Sequence, residues 1–167
     1  MSNINNIEIE RKFLVLDDSY KSLAERSVRI RQGYLCLNPN CSVRVRQWDE
    51  QAFLTIKSKA VKGSFSRYEF EKEIALDEFN ELFKLCLSGT IDKIRWIVPI
   101  SSTHDTLHAT LFEVDEFLGD NAGLVMAEIE LQNELQPFPH PSFLGEEVTF
   151  DPRYFNSYLS LHPYSTW

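Results

Sequence analysis

Glu8-Ile9-Glu10-Arg11-Lys12 puts a polar or charged side chain on every second residue. Successive side chains of a strand point to opposite faces, so Glu8, Glu10 and Lys12 share one face and Ile7, Ile9, Arg11 and Phe13 the other. The pattern recurs along the chain. Arg44 and Arg46 alternate with Val43 and Val45, and Thr55 and Lys57 with Leu54 and Ile56. Glu69, Glu71 and Glu73 alternate with Tyr68, Phe70 and Lys72. Lys93 and Arg95 flank Ile94, Glu113 and Asp115 flank Val114, and Glu128 and Glu130 alternate with Ala127, Ile129 and Leu131.

An ordinary one-sided sheet explains any single strand of this kind, with charges in solvent and apolar residues in the core. It does not explain why the signs are sorted, with acids on some strands and bases on others. The alternation predicts strands over 7–15, 27–37, 42–48, 52–58, 66–75, 92–99, 108–117 and 124–132. The expected fold is mainly β (α+β), and eight strands suggest a closed barrel whose interior is just wide enough for one small ligand. If the charged faces line that interior, the apolar faces point outward and need cover.

Helical spacing predicts a helix over 77–87, capped by Asp77, with Phe79, Leu82, Phe83 and Cys86 on one face. A C-terminal helix is expected over 152–160, with Asp151 as cap and Pro152 at its first position, and a short turn near 18–25. The Pro-rich connector 136–141 precedes the C-terminal segment, and helices, connector or a second subunit in a homodimer could cover the outward faces.

With 167 residues, 43% of them hydrophobic, the chain is expected to form one domain over 1–167. No stretch approaches the roughly 20 apolar residues of a membrane helix. The N-terminus lacks the features of a secretory signal, so a cytoplasmic location is expected. Cys36, Cys41 and Cys86 lack metal-type spacing and read as reduced thiols, Cys36 and Cys41 flanking a turn at Asn38-Pro39-Asn40. A net charge of -8 argues against nucleic acid as a partner, but not against a small polyanion held in a locally basic cavity.

Lys12, Arg44, Arg46, Lys57, Lys93 and Arg95 supply donors to grip several phosphoryl groups. Acids repel phosphate, so their use in the same cavity is to hold Mg²⁺ or Mn²⁺, which take carboxylate, water and phosphate oxygens. Metal plus polyphosphate implies phosphoanhydride hydrolysis by in-line attack of water. Neither a Gly-rich phosphate loop nor a metalloprotease His pair occurs, and the four histidines read as surface residues.

The E-x-E-x-K run at Glu8-x-Glu10-x-Lys12 is similar to the signature of the CYTH, or triphosphate tunnel metalloenzyme, superfamily. The chain resembles its short bacterial branch further in Val43-Arg44-Val45-Arg46, Thr55-Ile56-Lys57, Arg67-x-Glu69-x-Glu71, Lys93-x-Arg95, Glu113-x-Asp115, Ala127-Glu128-Ile129-Glu130-Leu131 and Glu147-Val148-Thr149. The resemblance implies an antiparallel tunnel and metal-dependent hydrolysis of a small-molecule triphosphate, frequently inorganic tripolyphosphate. By the same resemblance Glu8, Glu10, Glu128 and Glu130, with Asp115 and Glu113, are metal carboxylates. Glu69 and Glu71 hold a second metal or orient water, Lys57 is a further candidate for activating water, and the six basic residues grip phosphate. Tyr34, Arg153 and Tyr154 are candidates for closing one tunnel end. Alternatives are an adenylate cyclase of the CyaB type and a polyphosphate-binding module without turnover.

Overall fold

The computed structural model describes residues 9–59, 68–100 and 110–167. Within them run β1 (Ile9–Val15), α1 (Tyr20–Leu23), β2 (Arg26–Leu37), β3 (Cys41–Trp48), β4 (Gln51–Ser58), β5 (Glu69–Ile74), α2 (Leu76–Lys84), β6 (Ile91–Ile100), β7 (Thr110–Phe117), β8 (Val125–Leu131), β9 (Leu144–Glu147) and α3 (Asn156–Leu159). The strands form one antiparallel sheet in the order β5-β4-β3-β2-β6-β7-β8-β1-β9.

Two expectations are corrected here. The sheet has nine strands rather than eight, and it is open, with β5 and β9 at its edges. The physical reason lies in the backbone of β1. Closing an eight-stranded sheet requires the outer edge of β1 to pair with β5, but β9 and the residues after it already satisfy that edge. The Lys12 carbonyl accepts from Val148 N at 2.8 Å, and the Lys12 amide donates to Thr149 Oγ1 at 3.0 Å. Arg11 donates through Nε to Glu147 at 2.8 Å and pairs with it again through Nη2, clipping β9 in place. β9 escapes a periodicity search because it spans only four residues with a glycine among them.

The sheet has two chemically different faces. Cross-strand partners share a face, so the register collects Glu10, Lys12, Arg44, Arg46, Thr55, Lys57, Glu69, Glu71, Lys93, Arg95, Glu113, Asp115, Glu128 and Glu130 on one side. The other face is apolar and covered. Over β1, β6, β7 and β8 the cover is Tyr20 of α1 with Phe138 and Phe143 of the connector region, packed on Phe13, Val98, Phe112, Val114, Ala127 and Ile129. Over β2, β3 and β4 it is α2, whose Phe79 is fully buried against Val45 and Ala52. Helices and connector therefore do cover the outward faces.

α2 starts earlier than expected. Its cap position is the extended Ala75, whose amide donates to the Glu78 carboxylate at 2.8 Å, while Asp77 lies inside the first turn. At the other end of this helix a Cβ on Gly33 would lie 2.6 Å from Cys86 Sγ, so β2 needs glycine there for α2 to approach. The C-terminal helix is also shorter than expected. Pro152–Tyr154 form a single 3₁₀ turn, Phe155 is extended, and only Asn156–Leu159 are α-helical.

Leu159 is fully buried with Ile91, Phe117, Leu124 and Met126, and Leu14, Tyr154 and Tyr164 pack around them. Leu14, Ile91, Phe117 and Met126 belong by register to the charged face. The C-terminal segment thus plugs one end of that face with apolar side chains. Among the described residues no helix is long and apolar enough to cross a membrane.

Candidate active site

The charged face carries buried ionisable side chains, which persist in folded proteins only when paired or hydrogen-bonded. Lys93, Asp115, Arg95, Lys57, Arg44 and Glu128 are all buried. Two groups of ion pairs divide them.

The first group spans β1, β6, β7 and β8. Arg95 donates to Asp115 from Nε at 2.7 Å and from Nη2 at 2.6 Å, reaches Glu128 at 3.0 Å and pairs with Glu113. Lys93 pairs with the same Asp115, whose side chain is completely buried. Lys12 bridges Glu10 and Glu128. Burial works against the charge on Lys12, yet Glu10 and Glu128 more than offset it and hold its pKa above the ordinary lysine value. Burial likewise disfavours the Glu128 carboxylate, but Lys12, Arg95 and Lys93 overcome it and keep Glu128 ionised well below the usual range. Lys93 goes the other way: burial, helped by Arg95, lowers its pKa despite Asp115.

The second group spans β3, β4 and β5. Lys57 Nζ lies 2.6 Å from Glu69, and Arg44 stands 3.7 Å from the same carboxylate. Glu71 accepts from Thr55 Oγ1 at 2.8 Å and from Arg46 Nη2 at 3.1 Å. Tyr34 and Gln32, the cross-strand partners of Arg44 and Arg46, are buried and joined by a 3.1 Å hydrogen bond. Burial and the neighbouring Arg44 push the Arg46 guanidinium down to about 10, although Glu71 opposes the shift. Arg95 lowers the Arg46 pKa further and Glu113 opposes it, so charges on β6 and β7 act on β3.

Arg44 Nε and Arg46 Nε are both buried without a hydrogen-bond partner among the described residues. A buried N–H left unpaired is costly, and two of them on one sheet face are donors suited to an anion. The aromatic rings of Trp48 and Phe53 stand 5.6 and 6.0 Å from the Arg46 guanidinium and hold it on one side.

Acids also face one another across strands, partly offset by Lys12, which bridges Glu10 and Glu128, and by Arg95, which pairs with Glu113 and Glu128. Glu10 lies directly opposite Glu130, and Glu113 directly opposite Glu128. Like charges facing each other across strands are destabilising, and a hard divalent cation shared by carboxylate oxygens relieves the repulsion. Among the described residues no three acidic, His or Cys side chains form a ready-made metal cage. Mg²⁺ is commonly held by one or two carboxylates together with water and substrate phosphate. The donor set fits a divalent cation.

The face therefore brings together Glu10, Lys12, Arg44, Arg46, Lys57, Glu69, Glu71, Lys93, Arg95, Glu113, Asp115, Glu128 and Glu130, while Glu8 and Arg67 lie outside the described residues. Asp115 and Glu128, both expected among the metal carboxylates, each have both oxygens paired with cations, Asp115 with Lys93 and Arg95 and Glu128 with Lys12 and Arg95. Arg153 stays on the surface, bound to its neighbour Asp151. His140 and His162 are exposed and stack on Phe138 and Tyr158, away from the charged face. Thr55, already placed on the polar face with Lys57, and Gln32 received no site role from the sequence because a neutral polar residue carries no charge signal; the register sets Thr55 opposite Arg44 and Gln32 opposite Arg46.

An antiparallel sheet with one face of paired cations and carboxylates, and its apolar side covered by helices and the connector, defines an anion-binding class of β protein. The chain belongs to the CYTH domain family, whose model matches residues 6–157. It is 44% identical over 161 residues to an inorganic triphosphatase of Acetivibrio thermocellus, covering 96% of this chain and 97% of the relative. It is 35% identical to an inorganic triphosphatase of Nitrosomonas europaea, covering 92% and 97%. A crystal structure of an inorganic triphosphatase superimposes with a TM-score of 0.63 at 33% identity, covering 96% of each chain.

Proposed function

We propose that the chain hydrolyses the terminal phosphoanhydride of a triphosphate, with inorganic tripolyphosphate as the first substrate to test and nucleoside triphosphates second. The single observation that carries the reading is the pair of buried Nε donors of Arg44 and Arg46, without a hydrogen-bond partner among the described residues, on the same sheet face as opposed carboxylates. The near full-length similarity to two inorganic triphosphatases supports it.

In this reading Arg44 and Arg46 donate to non-bridging phosphoryl oxygens, and Lys57, Lys12, Lys93 and Arg95 complete a cationic lining. Glu8, Glu10, Glu128 and Glu130, with Glu113, hold Mg²⁺ or Mn²⁺. When bound, the cation supplies Lewis-acid neutralisation of the phosphoryl oxygens. Asp115 keeps Lys93 and Arg95 charged and aimed. Glu69 and Glu71 on β5 orient the attacking water, with Lys57 and Thr55 fixing their carboxylates. Water adds in line to the terminal phosphorus, the anhydride bond breaks, and tripolyphosphate yields pyrophosphate and orthophosphate.

The test is phosphate release from tripolyphosphate and from ATP with Mg²⁺ or Mn²⁺. Release from either supports hydrolysis and ranks the substrates. Absence of release with both metals, alongside tripolyphosphate binding by calorimetry, would replace the enzyme with a binding module.

A further inference from the structure

Cys36 and Cys41 sit at the β2–β3 hairpin, remote in chemistry from the charged face. By simple alternation they belong on opposite faces of the sheet. Cys36 is in phase with Tyr34 on the charged side, and Cys41 is in phase with Val43 and Val45 on the other. A β-bulge changes this. The register runs Tyr34 opposite Arg44 and then Cys36 opposite Val43, so β2 spends two residues where β3 spends one. Past the bulge Cys36 lies on the same face as Val43 and Cys41.

The turn then holds the two thiols together. Asn38 Oδ1 accepts from the amides of Asn40 at 2.8 Å and Cys41 at 2.9 Å, and Asn38 N donates to the Cys41 carbonyl at 3.1 Å. With the side chain fixed through its oxygen, Asn38 Nδ2 donates to both sulfurs, 3.4 Å from Cys36 Sγ and 3.4 Å from Cys41 Sγ. Both thiols are reduced and half-buried, so a small reagent can reach them. Cys86 is separate, its Sγ donating to the Leu82 carbonyl within α2, and burial raises its pKa.

We propose that Cys36 and Cys41 form a dithiol modification site, oxidised to an intramolecular disulfide by a small-molecule disulfide. One cysteine thiolate attacks a sulfur of the reagent, forming a mixed disulfide and expelling one thiolate. The second cysteine thiolate then attacks the protein-bound sulfur, forming the Cys36–Cys41 bond and expelling the second thiolate. The two cysteines lose two electrons and two protons, and the reagent is reduced to two thiols. Among the described residues the side-chain contact displaced is the weak Asn38 amide contact, and the short closed loop matches a hairpin already folded back on itself.

The site is independent of the hydrolytic reading and is tested on the full chain. The protein is incubated with oxidised glutathione at about pH 8, near the ordinary thiol pKa, then alkylated and digested with trypsin. Cleavage after Arg31 and Arg44 releases both cysteines in one peptide, residues 32–44. The expected product is that peptide unalkylated and two hydrogens lighter, restored by reduction. C36S and C41S should instead each accumulate a glutathione adduct on the remaining cysteine. The proposal is overturned if the wild-type peptide carries only glutathione adducts, if it is recovered fully alkylated, or if either cysteine is found linked to Cys86.

Discussion

Arg95 and Asp115 are cross-strand partners joined by two parallel hydrogen bonds, Nε to Oδ1 at 2.7 Å and Nη2 to Oδ2 at 2.6 Å. Lys93 shares the same carboxylate, so one fully buried acid balances two buried cations. Removing one member of such a group leaves uncompensated charge in a low-dielectric site, which costs about 3–5 kcal/mol. Asp115→Asn should therefore lower unfolding free energy by that order in urea titration, before any effect on catalysis. An unchanged midpoint would show that Lys93 and Arg95 find other partners.

Arg46 links binding to alkaline pH. Its guanidinium is held down to about 10, first by burial and then by Arg44. Tripolyphosphate KM should rise as pH passes about 10, and Arg46→Lys should alter that limb. The stability sign is opposite to that of an attractive pair. Because the folded pKa lies below the unfolded one, charged Arg46 opposes folding below about 10, and that penalty is relieved as pH rises from there toward the ordinary arginine value. Arg46→Ala should weaken tripolyphosphate about tenfold to a hundredfold, the size of one charge-assisted hydrogen bond, with little loss of stability.

Glu128 controls the acid limb. Its folded pKa is depressed by Lys12, Arg95 and Lys93 against the opposing effect of burial. The stabilisation it contributes is complete above the ordinary value of 4.5 and is lost as pH falls from there through the lower folded value. Thermal unfolding of Glu128→Gln should thus be flatter between neutral pH and pH 3 than that of the wild type. Parallel curves would contradict the assignment.

Metal removal should separate chemistry from folding. Chelation is expected to abolish phosphate release while leaving the circular dichroism spectrum unchanged, and Mg²⁺ or Mn²⁺ should restore activity. Glu10→Gln and Glu130→Gln each remove one of two directly opposed carboxylates. Each should raise the metal concentration needed for half-maximal activity, whereas Lys57→Ala should leave that concentration unchanged. Equal metal dependence in all three variants would reject the division of roles.

The period-two pattern of Glu10-x-Lys12, Arg44-x-Arg46 and Lys93-x-Arg95 was sufficient to place most strands and to put these residues on one face. Side-chain direction in a strand is a local property, fixed by counting along the chain. Which strand lies beside which is not local. The short β9 was invisible to periodicity, yet by satisfying the backbone of Lys12 it takes the edge of β1 that closure requires, and the sheet stays open. The same distinction governs the site. The family resemblance nominated Asp115 as a metal ligand; register aligns it with Arg95 and packing brings Lys93 to the same carboxylate. The bulge after Tyr34 reverses the face that counting assigns to Cys36. Local covalent geometry determined the faces, while tertiary packing decided partners and edges, because a hydrogen bond or ion pair depends on where the other group comes to lie.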